Sequence, residues 1–289
     1  MKTDRTSPQT AGMRAVERTD RAHFFVAKSF DQPEFVTASV SAQRQAPHSH
    51  ETYVIGGISG GHGTQFIRGS QRLAGSGDLT LYNPGEVHDC APGCEAGFDY
   101  RVSYPSVDMM KRVAKEVSRH SRIDTPFFKA PIVCDPNGLA AFTVAHRTIE
   151  LGGDTLAGEE QLIEVYAGFL VRHAEIIPAS IGREQGPIER VKVMIGDRCT
   201  EDISLAELAA EAGLSRFHLI RAFQRATGQT PHAYVINRRV EQAKVRLRAG
   251  EKLSAVAVAT GFSDQAHMTR VFKARVGVTP GVYRAAVAS

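Results

Sequence analysis

SLAELAAEAGLSRFHLIRAFQRATGQTP, running from Ser204 to Pro231, and LSAVAVATGFSDQAHMTRVFKARVGVTPGVYR, running from Leu253 to Arg284, are two writings of one pattern. Aligned, they pair Ala209 with Ala257, Gly213 with Gly261 and Ser215 with Ser263 at one spacing. Phe223 with Phe272, Gly228 with Gly277 and Pro231 with Pro280 pair at a spacing one residue longer, so the second copy carries an insertion. A duplication of this length is a repeated unit of structure. Its internal signals are those of short helices. Ser204 and Glu207 form a Ser-x-x-Glu capping box, and Gly213 and Gly261 stand where each first helix must turn sharply. Ser215 and Ser263 are placed to cap the helices that follow, and Thr230-Pro231 and Thr279-Pro280 each read as a cap before a first-turn proline. Between the copies, Ile236, Val240, Ala243 and Leu247 share one face of a helix over Pro231 to Arg248, which Gly250 ends. Ile188, Val191 and Ile195 give a preceding helix its inward face, for about seven helices in all.

Two helices joined by a tight turn, written twice, point to a chain that reads DNA. In a helix-turn-helix the second helix enters the major groove, and its early side chains meet base edges. Those helices are expected from about Ser215 to Thr227 and from about Ser263 to Val276. The connecting helix of about 18 residues spans about 27 Å, which with its turns sets the reading helices roughly one DNA turn, about 34 Å, apart. Arg221 and Arg270 suit guanine or phosphate and Gln265 suits adenine. Arg225, Arg238, Arg239, Lys244 and Arg246 suit phosphate contacts or plain solvation. Leu219, Phe223 and Phe272 are core by spacing.

Charge agrees with this division. From Pro187 to Ser289 there are 16 Lys+Arg against 9 Asp+Glu, while the rest of the 289 residues holds 19 against 22. A basic end joined to a slightly acidic one fits a polyanion-binding part and a sensing or assembly part. Apolar content of 42% is that of a globular chain. No apolar run reaches the 18 or so residues of a membrane span, and MKTDRTSPQT lacks the pattern of a secretory signal. Four cysteines without framework spacing fit a reducing cytoplasm.

Upstream, residues 1–20 are polar and aperiodic and read as a flexible arm. From 21 to 105, FVTASV, YVIGGI, TQFIRG, LTLYNP and FDYRVSY are β-rich and separated by glycine and proline turns, among them Gly60-Gly61 and Pro84-Gly85, as expected of a small β-barrel or sandwich. Residues 106–178 turn helical. Leu162 to Val171 is apolar around more than one face, which assigns this segment to dimerisation, with covering of the barrel as the alternative. Residues 179–187 read as a linker, and 188–289 as the DNA-binding domain. The fold class expected is therefore an α+β, multidomain chain: a β-barrel with flanking helices, then an all-α domain with two helix-turn-helices joined by a long helix.

Within the β part, His48-Ser49-His50-Glu51-Thr52-Tyr53 and Asn83-Pro84-Gly85-Glu86-Val87-His88 are the densest chemical clusters. Strand alternation puts His48 and His50 on one face and Glu51 on the other. His48, His50 and His88 make a plausible three-histidine metal set, and the same residues suit a metal-free ligand pocket. Effector-binding candidates are accordingly His48, His50, Glu51, Tyr53 and His88, with no metal assigned. Arg44, Arg68 and Arg101 are available to an acidic effector, and His88-Asp89-Cys90 with Cys94 is a weaker metal pattern.

These residues carry two resemblances. GFSDQAHMTRVFKARVGVTPGVYR and its preceding repeat closely resemble the C-terminal domain of AraC/XylS-family transcription regulators. By that similarity Phe217, Ile220 and Arg221 would face DNA from the first reading helix, and Gln265, Ala266, His267, Thr269 and Arg270 from the second. Phe217 and Ile220 depart from a polar reading surface, which implies apolar contacts to thymine methyls. PHSHETYVIG with LYNPGEVHD resembles the cupin-like effector-binding half of the same family. It departs from the cupin pattern in placing Glu51 directly after His-x-His and in the adjacency of Pro84 and Gly85. The resemblance implies a transcription regulator, an activator, that binds double-stranded promoter DNA and a small-molecule effector, acts as a homodimer and contacts RNA polymerase. It implies neither enzyme nor membrane protein. The alternative is a metal-dependent cupin enzyme fused to a DNA-binding domain.

Overall fold

The computed structural model describes residues 20–28, 30–41, 44–93, 97–118, 124–179 and 184–287. Residues 1–19 of the expected arm and Cys94 lie outside these, as do residues 180–183 of the expected linker.

The N-terminal half is a barrel of antiparallel strands: β1 (Arg21–Val26), β2 (Glu34–Val40), β3 (Gln45–His48), β4 (Val54–Ile67), β5 (Ser70–Gly75), β6 (Asp78–Tyr82), β7 (His88–Pro92), β8 (Phe98–Tyr104) and β9 (Ile132–Cys134). One side runs β1-β2-β8-β4-β6-β9; the other is built where the second half of β4 pairs with β5 and β7, and β7 with β3. Strand β4 therefore belongs to both sides. The sequence expectation was two strands broken at Gly60-Gly61; the structure has one 14-residue strand instead. The glycines bend it rather than end it. Its register with β8 shifts between Ile58 and Gly60, and Gly61 has φ +73° with the Gly97 carbonyl 2.1 Å from where a Cβ would sit. The barrel also extends past residue 105, because β9 pairs with β6 from within the segment read as helical.

Three helices pack on the barrel. These are α1 (Val107–Val117, capped by Ser106), α2 (Pro136–Glu150, capped by Asp135) and α3 (Thr155–His173, capped by Asp154). Arg101 on β8 and Thr37 on β2 hydrogen-bond Glu150 at 2.6 and 2.8 Å, and the buried His146 meets Phe25, Phe35 and Phe142 edge-on. Burial pushes the Glu150 carboxyl up, but Arg101 and Thr37 outweigh it and hold it at about 2.

Seven helices follow: α4 (Gln185–Arg198), α5 (Leu205–Ala212), α6 (Arg216–Thr227), α7 (Pro231–Arg248), α8 (Leu253–Ala259), α9 (Gln265–Val276) and α10 (Pro280–Val287). The Ser204/Glu207 capping box is formed, Gly213 ends α5 at φ +68°, and Thr230 and Pro231 open an 18-residue α7. The inserted residue lies in the second turn. Asp264 accepts from the His267 N–H at 2.7 Å and caps α9 in place of the expected Ser263.

Core packing divides unequally. One continuous apolar cluster runs from Phe35 and Leu81 of the barrel through Met110, Phe142 and Phe169 to Leu208, Leu219 and Phe223 of the first helix pair. The second pair has its own cluster around Val256, Met268 and Phe272. The apolarity of α3 is thereby accounted for within the chain: Tyr166, Phe169 and Leu170 are buried among barrel and helices, while α6 covers another face. The inference from α3 to a dimer interface loses its basis.

Candidate functional site

The second reading helix, α9, presents an open surface. Gln265, Ala266 and Arg270 are exposed at its N-terminal end, and His267 and Thr269 are half-buried beside them. Met268 and Phe272 point the other way into the core. Gln265 and Arg270 thus offer hydrogen-bonding groups on the open face at the start of α9.

The first reading helix is arranged differently. Phe217 is 6% exposed and Ile220 0%, contrary to the expectation of an open face. The N-terminal turn of α6 is docked on α1 and α3. Arg216 donates through Nε and Nη2 to Glu116 of α1 at 3.3 and 3.1 Å, and through Nη1 to Glu159 of α3 at 3.2 Å. The Phe217 backbone N–H donates to the other Glu116 oxygen at 3.2 Å. Below this, the Phe30 ring of the barrel lies 4.5 Å from the Arg216 guanidinium. Two further carboxylates hold α7: Glu160 accepts from the His232 N–H at 3.0 Å, and Asp154 lies 3.5 Å from the His232 ring and 3.6 Å from Arg239. Arg221 is exposed, its guanidinium stacked 5.6 Å above the Phe217 ring. In this arrangement the apolar Phe217 and Ile220 are buried where α6 packs against the middle helices α1 and α3. Burial raises the Glu159 carboxyl, with Arg216 opposing it. Sequence reading missed these carboxylates, although Glu159, Glu160 and Glu164 in so apolar a helix were the available signal.

Arg239 was expected at phosphate or in solvent. It is 5% exposed and donates to the Cys199 and Glu201 carbonyls at 2.6 and 2.9 Å, tying α7 to the start of the first pair.

In the barrel a small cavity of about 70 Å³ opens between the two sides. Its lining includes His48, His50 and His88, with Tyr82, Tyr100 and Tyr104 beside them. His48 faces His88 across the β3–β7 pair, and their ring centroids are 4.5 Å apart. His50 lies just past the end of β3, 5.0 Å from His48 and 5.4 Å from His88. Burial, opposed by the Glu86 carbonyl, pushes His88 down to about 4, and burial followed by His48 lowers His50. Burial likewise raises the Tyr82 and Tyr104 phenols and pushes the Cys90 thiol up to about 12. Glu51 and Tyr53, two of the five effector candidates, do not line the cavity. Glu51 is exposed, and Tyr53 is fully buried with its hydroxyl donating to the Pro126 carbonyl at 2.5 Å. The three arginines are engaged elsewhere: Arg44 with Asp89, Arg68 with Glu86 and the Phe128 carbonyl, Arg101 with Glu150. The tyrosines, scattered over β6 and β8, carried no local sequence signal.

Comparison with known proteins gives two family matches. Residues 33–165 match the AraC-like ligand binding domain, and residues 208–286 match a helix-turn-helix domain. The chain is 30% identical over 228 residues to the uncharacterized HTH-type transcriptional regulator YbfI of Bacillus subtilis, covering 78% of this chain and 82% of that protein. It is 32% identical over 102 residues to the right origin-binding protein of Escherichia coli, covering 35% of each chain. Among solved structures, the DNA-binding domain of AdpA in complex with a target DNA aligns with 31% identity and a TM-score of 0.33, over 35% of this chain and 91% of that one.

Proposed function

The chain belongs to the AraC family of DNA-binding transcription regulators with an N-terminal ligand-binding domain, and we propose from this that it is an effector-gated regulator whose first reading helix is held off DNA by the chain's own middle helices. The observation that carries the proposal is the docking of the α6 N-terminal turn on Glu116 and Glu159. A helix cannot present that turn to a major groove while two carboxylates and the apolar faces of α1 and α3 cover it. With α6 docked, only α9 is free to read DNA, through Gln265, Ala266, His267, Thr269 and Arg270. Undocking adds Phe217, Ile220 and Arg221 and a second half-site.

The cavity at His48, His50 and His88 is the effector site in this reading, and the chain acts there by binding rather than by catalysis. Effector binding shifts the population between docked and undocked states by its differential affinity for the two. The route available is continuous: the cavity shares β8 with Arg101, which together with Thr37 of the neighbouring β2 holds α2 through Glu150, and α2 leads directly into Asp154 and α3. The domains are a barrel with its helices over 21–178 and a DNA-binding unit from α4 onward. Homodimer formation, promoter activation through RNA polymerase and a cytoplasmic location are part of the proposal on the strength of family membership. Among the described residues no helix is long and apolar enough to cross a membrane.

The test uses the full chain. DNA sites enriched from random sequence are footprinted, and compounds that raise its melting temperature are added. The proposal expects two half-sites about 10–10.5 base pairs apart, and extension of protection from one to both when a stabilising compound is present. A compound that stabilises the barrel yet leaves the footprint and affinity unchanged would refute the gate.

A further inference from the structure

The three cavity histidines converge on one point. One ring nitrogen from each of His48, His50 and His88 lies within 4.8 Å of the other two. Two of the rings are oriented by the backbone. Nδ1 of His48 is 2.8 Å from the Ala46 carbonyl and Nδ1 of His88 is 2.9 Å from the Glu86 carbonyl. A carbonyl can only accept, so each Nδ1 carries the proton and each Nε2 keeps its lone pair. Such carbonyl-to-imidazole hydrogen bonds are what fixes tautomer and ring direction in histidines that bind metals.

We propose that His48, His50 and His88 bind a divalent first-row transition ion of the zinc class, with the ion's remaining coordination position turned toward the tyrosine-lined cavity. This deepens the reading of that cavity as the effector site and rests on it. The donor chemistry fits: three neutral imidazoles suit zinc, nickel, cobalt, copper or iron and do not suit calcium or magnesium. The geometry needs a modest closure. Zinc–nitrogen bonds of about 2.0–2.1 Å in a tetrahedron place the nitrogens about 3.3 Å apart, and His48 and His50 are only partly buried. His88 is the fixed member, buried and paired in register with His48. Three protein ligands leave a position open, as in sites that take a further exchangeable ligand. That position would select effectors carrying an oxygen or nitrogen donor small enough for the cavity, with Tyr82, Tyr100 and Tyr104 around it.

The experiment titrates full-length protein with Co²⁺ alone, followed by its visible absorption, and with Zn²⁺ as competitor. The expected result is one ion per chain with the bands of a nitrogen-ligated site, reversed by Zn²⁺. In His88→Ala and in His50→Ala the affinity should fall at least 100-fold, while the far-UV circular dichroism stays unchanged. Glu51→Ala, whose side chain is exposed outside the cavity, should bind as the wild type does. Absence of bands at millimolar Co²⁺, or binding unaffected in a His48→Ala, His50→Ala, His88→Ala triple variant, overturns the site. The two readings fail separately. If no ion binds but Tyr104→Ala abolishes the thermal shift from a screened compound, the cavity remains the effector site and the ion is rejected. If the ion binds but that compound's shift survives Tyr104→Ala and His88→Ala, the effector has another site and the reading this inference rests on falls.

Discussion

Replacing Glu116 and Glu159 together by glutamine tests the gate from the side that never touches DNA. Each substitution keeps the shape of the side chain and removes the charge facing Arg216. The three side chains are 20%, 19% and 6% exposed for Arg216, Glu116 and Glu159, so water screens this cluster only partly. Hydrogen bonds to charged groups contribute about 1.5–3 kcal/mol, against about 0.5–1.5 kcal/mol for neutral ones. Each change therefore costs the docked state on the order of 1 kcal/mol and the pair on the order of 2 kcal/mol. Two kcal/mol is about 30-fold in the docking equilibrium. Because the apparent affinity equals the intrinsic affinity scaled by the competent fraction, effector-free Glu116→Gln, Glu159→Gln protein should bind a two-half-site DNA about 10- to 30-fold more tightly than wild type. Fluorescence anisotropy on an enriched operator reads this directly. Amide exchange across residues 216–220 reads it independently, since the Phe217 N–H loses a charged acceptor. An affinity within twofold of wild type, with unchanged exchange over those residues in a normally folded variant, would show that the contact does not gate DNA binding.

Three other substitutions separate reading residues from structural ones. Arg270→Ala should weaken operator binding by about 1–3 kcal/mol with no loss of thermal stability; unchanged anisotropy would remove Arg270 from the reading surface. Arg239→Ala should act oppositely, lowering the denaturant midpoint by the equivalent of at least about 2 kcal/mol, since it strands the Cys199 and Glu201 carbonyls. A selective affinity loss without destabilisation would return Arg239 to the phosphate contacts. His146 concerns pH. Burial, then Arg101, lowers it from 6.5 to about 4, so the unfolded chain takes up the proton first as pH falls. Its contribution is complete above pH 6.5 and is lost as pH falls toward 4. Denaturant midpoints between pH 7.5 and 4.5 should decline less steeply in His146→Gln than in wild type, and parallel curves would argue against a buried neutral imidazole.

The helical half was legible because its determinants are local. Capping at Ser204, Ser215 and Thr230, the left-handed glycine at Gly213 and the apolar face of α7 each depend on residues a few positions apart, and all formed as read. Short strands were legible as well, down to the bounds of β8. What failed was pairing across distance. Glycines in β4 look the same whether they end a strand or bend it, and only β8 packed against Gly56 and Gly61 decides for bending. A three-residue β9 has too little pattern to be seen before its partner β6 is in place. Tyr53 and Glu51, neighbours of the histidines in sequence, diverge from them once β3 ends and the chain turns inward.

By itself the sequence determined that this protein has two reading heads on one rigid connector and a histidine-bearing barrel, since repeat, period and capping are written in neighbouring residues. Only the tertiary structure decided that the heads are unequal. The same Phe217 and Ile220 that read as an apolar surface for thymine methyls are the plug that seats α6 on α1 and α3. Glu116 and Arg216 are 100 residues apart. Their meeting is a consequence of where the barrel sets its helices, which no local pattern encodes.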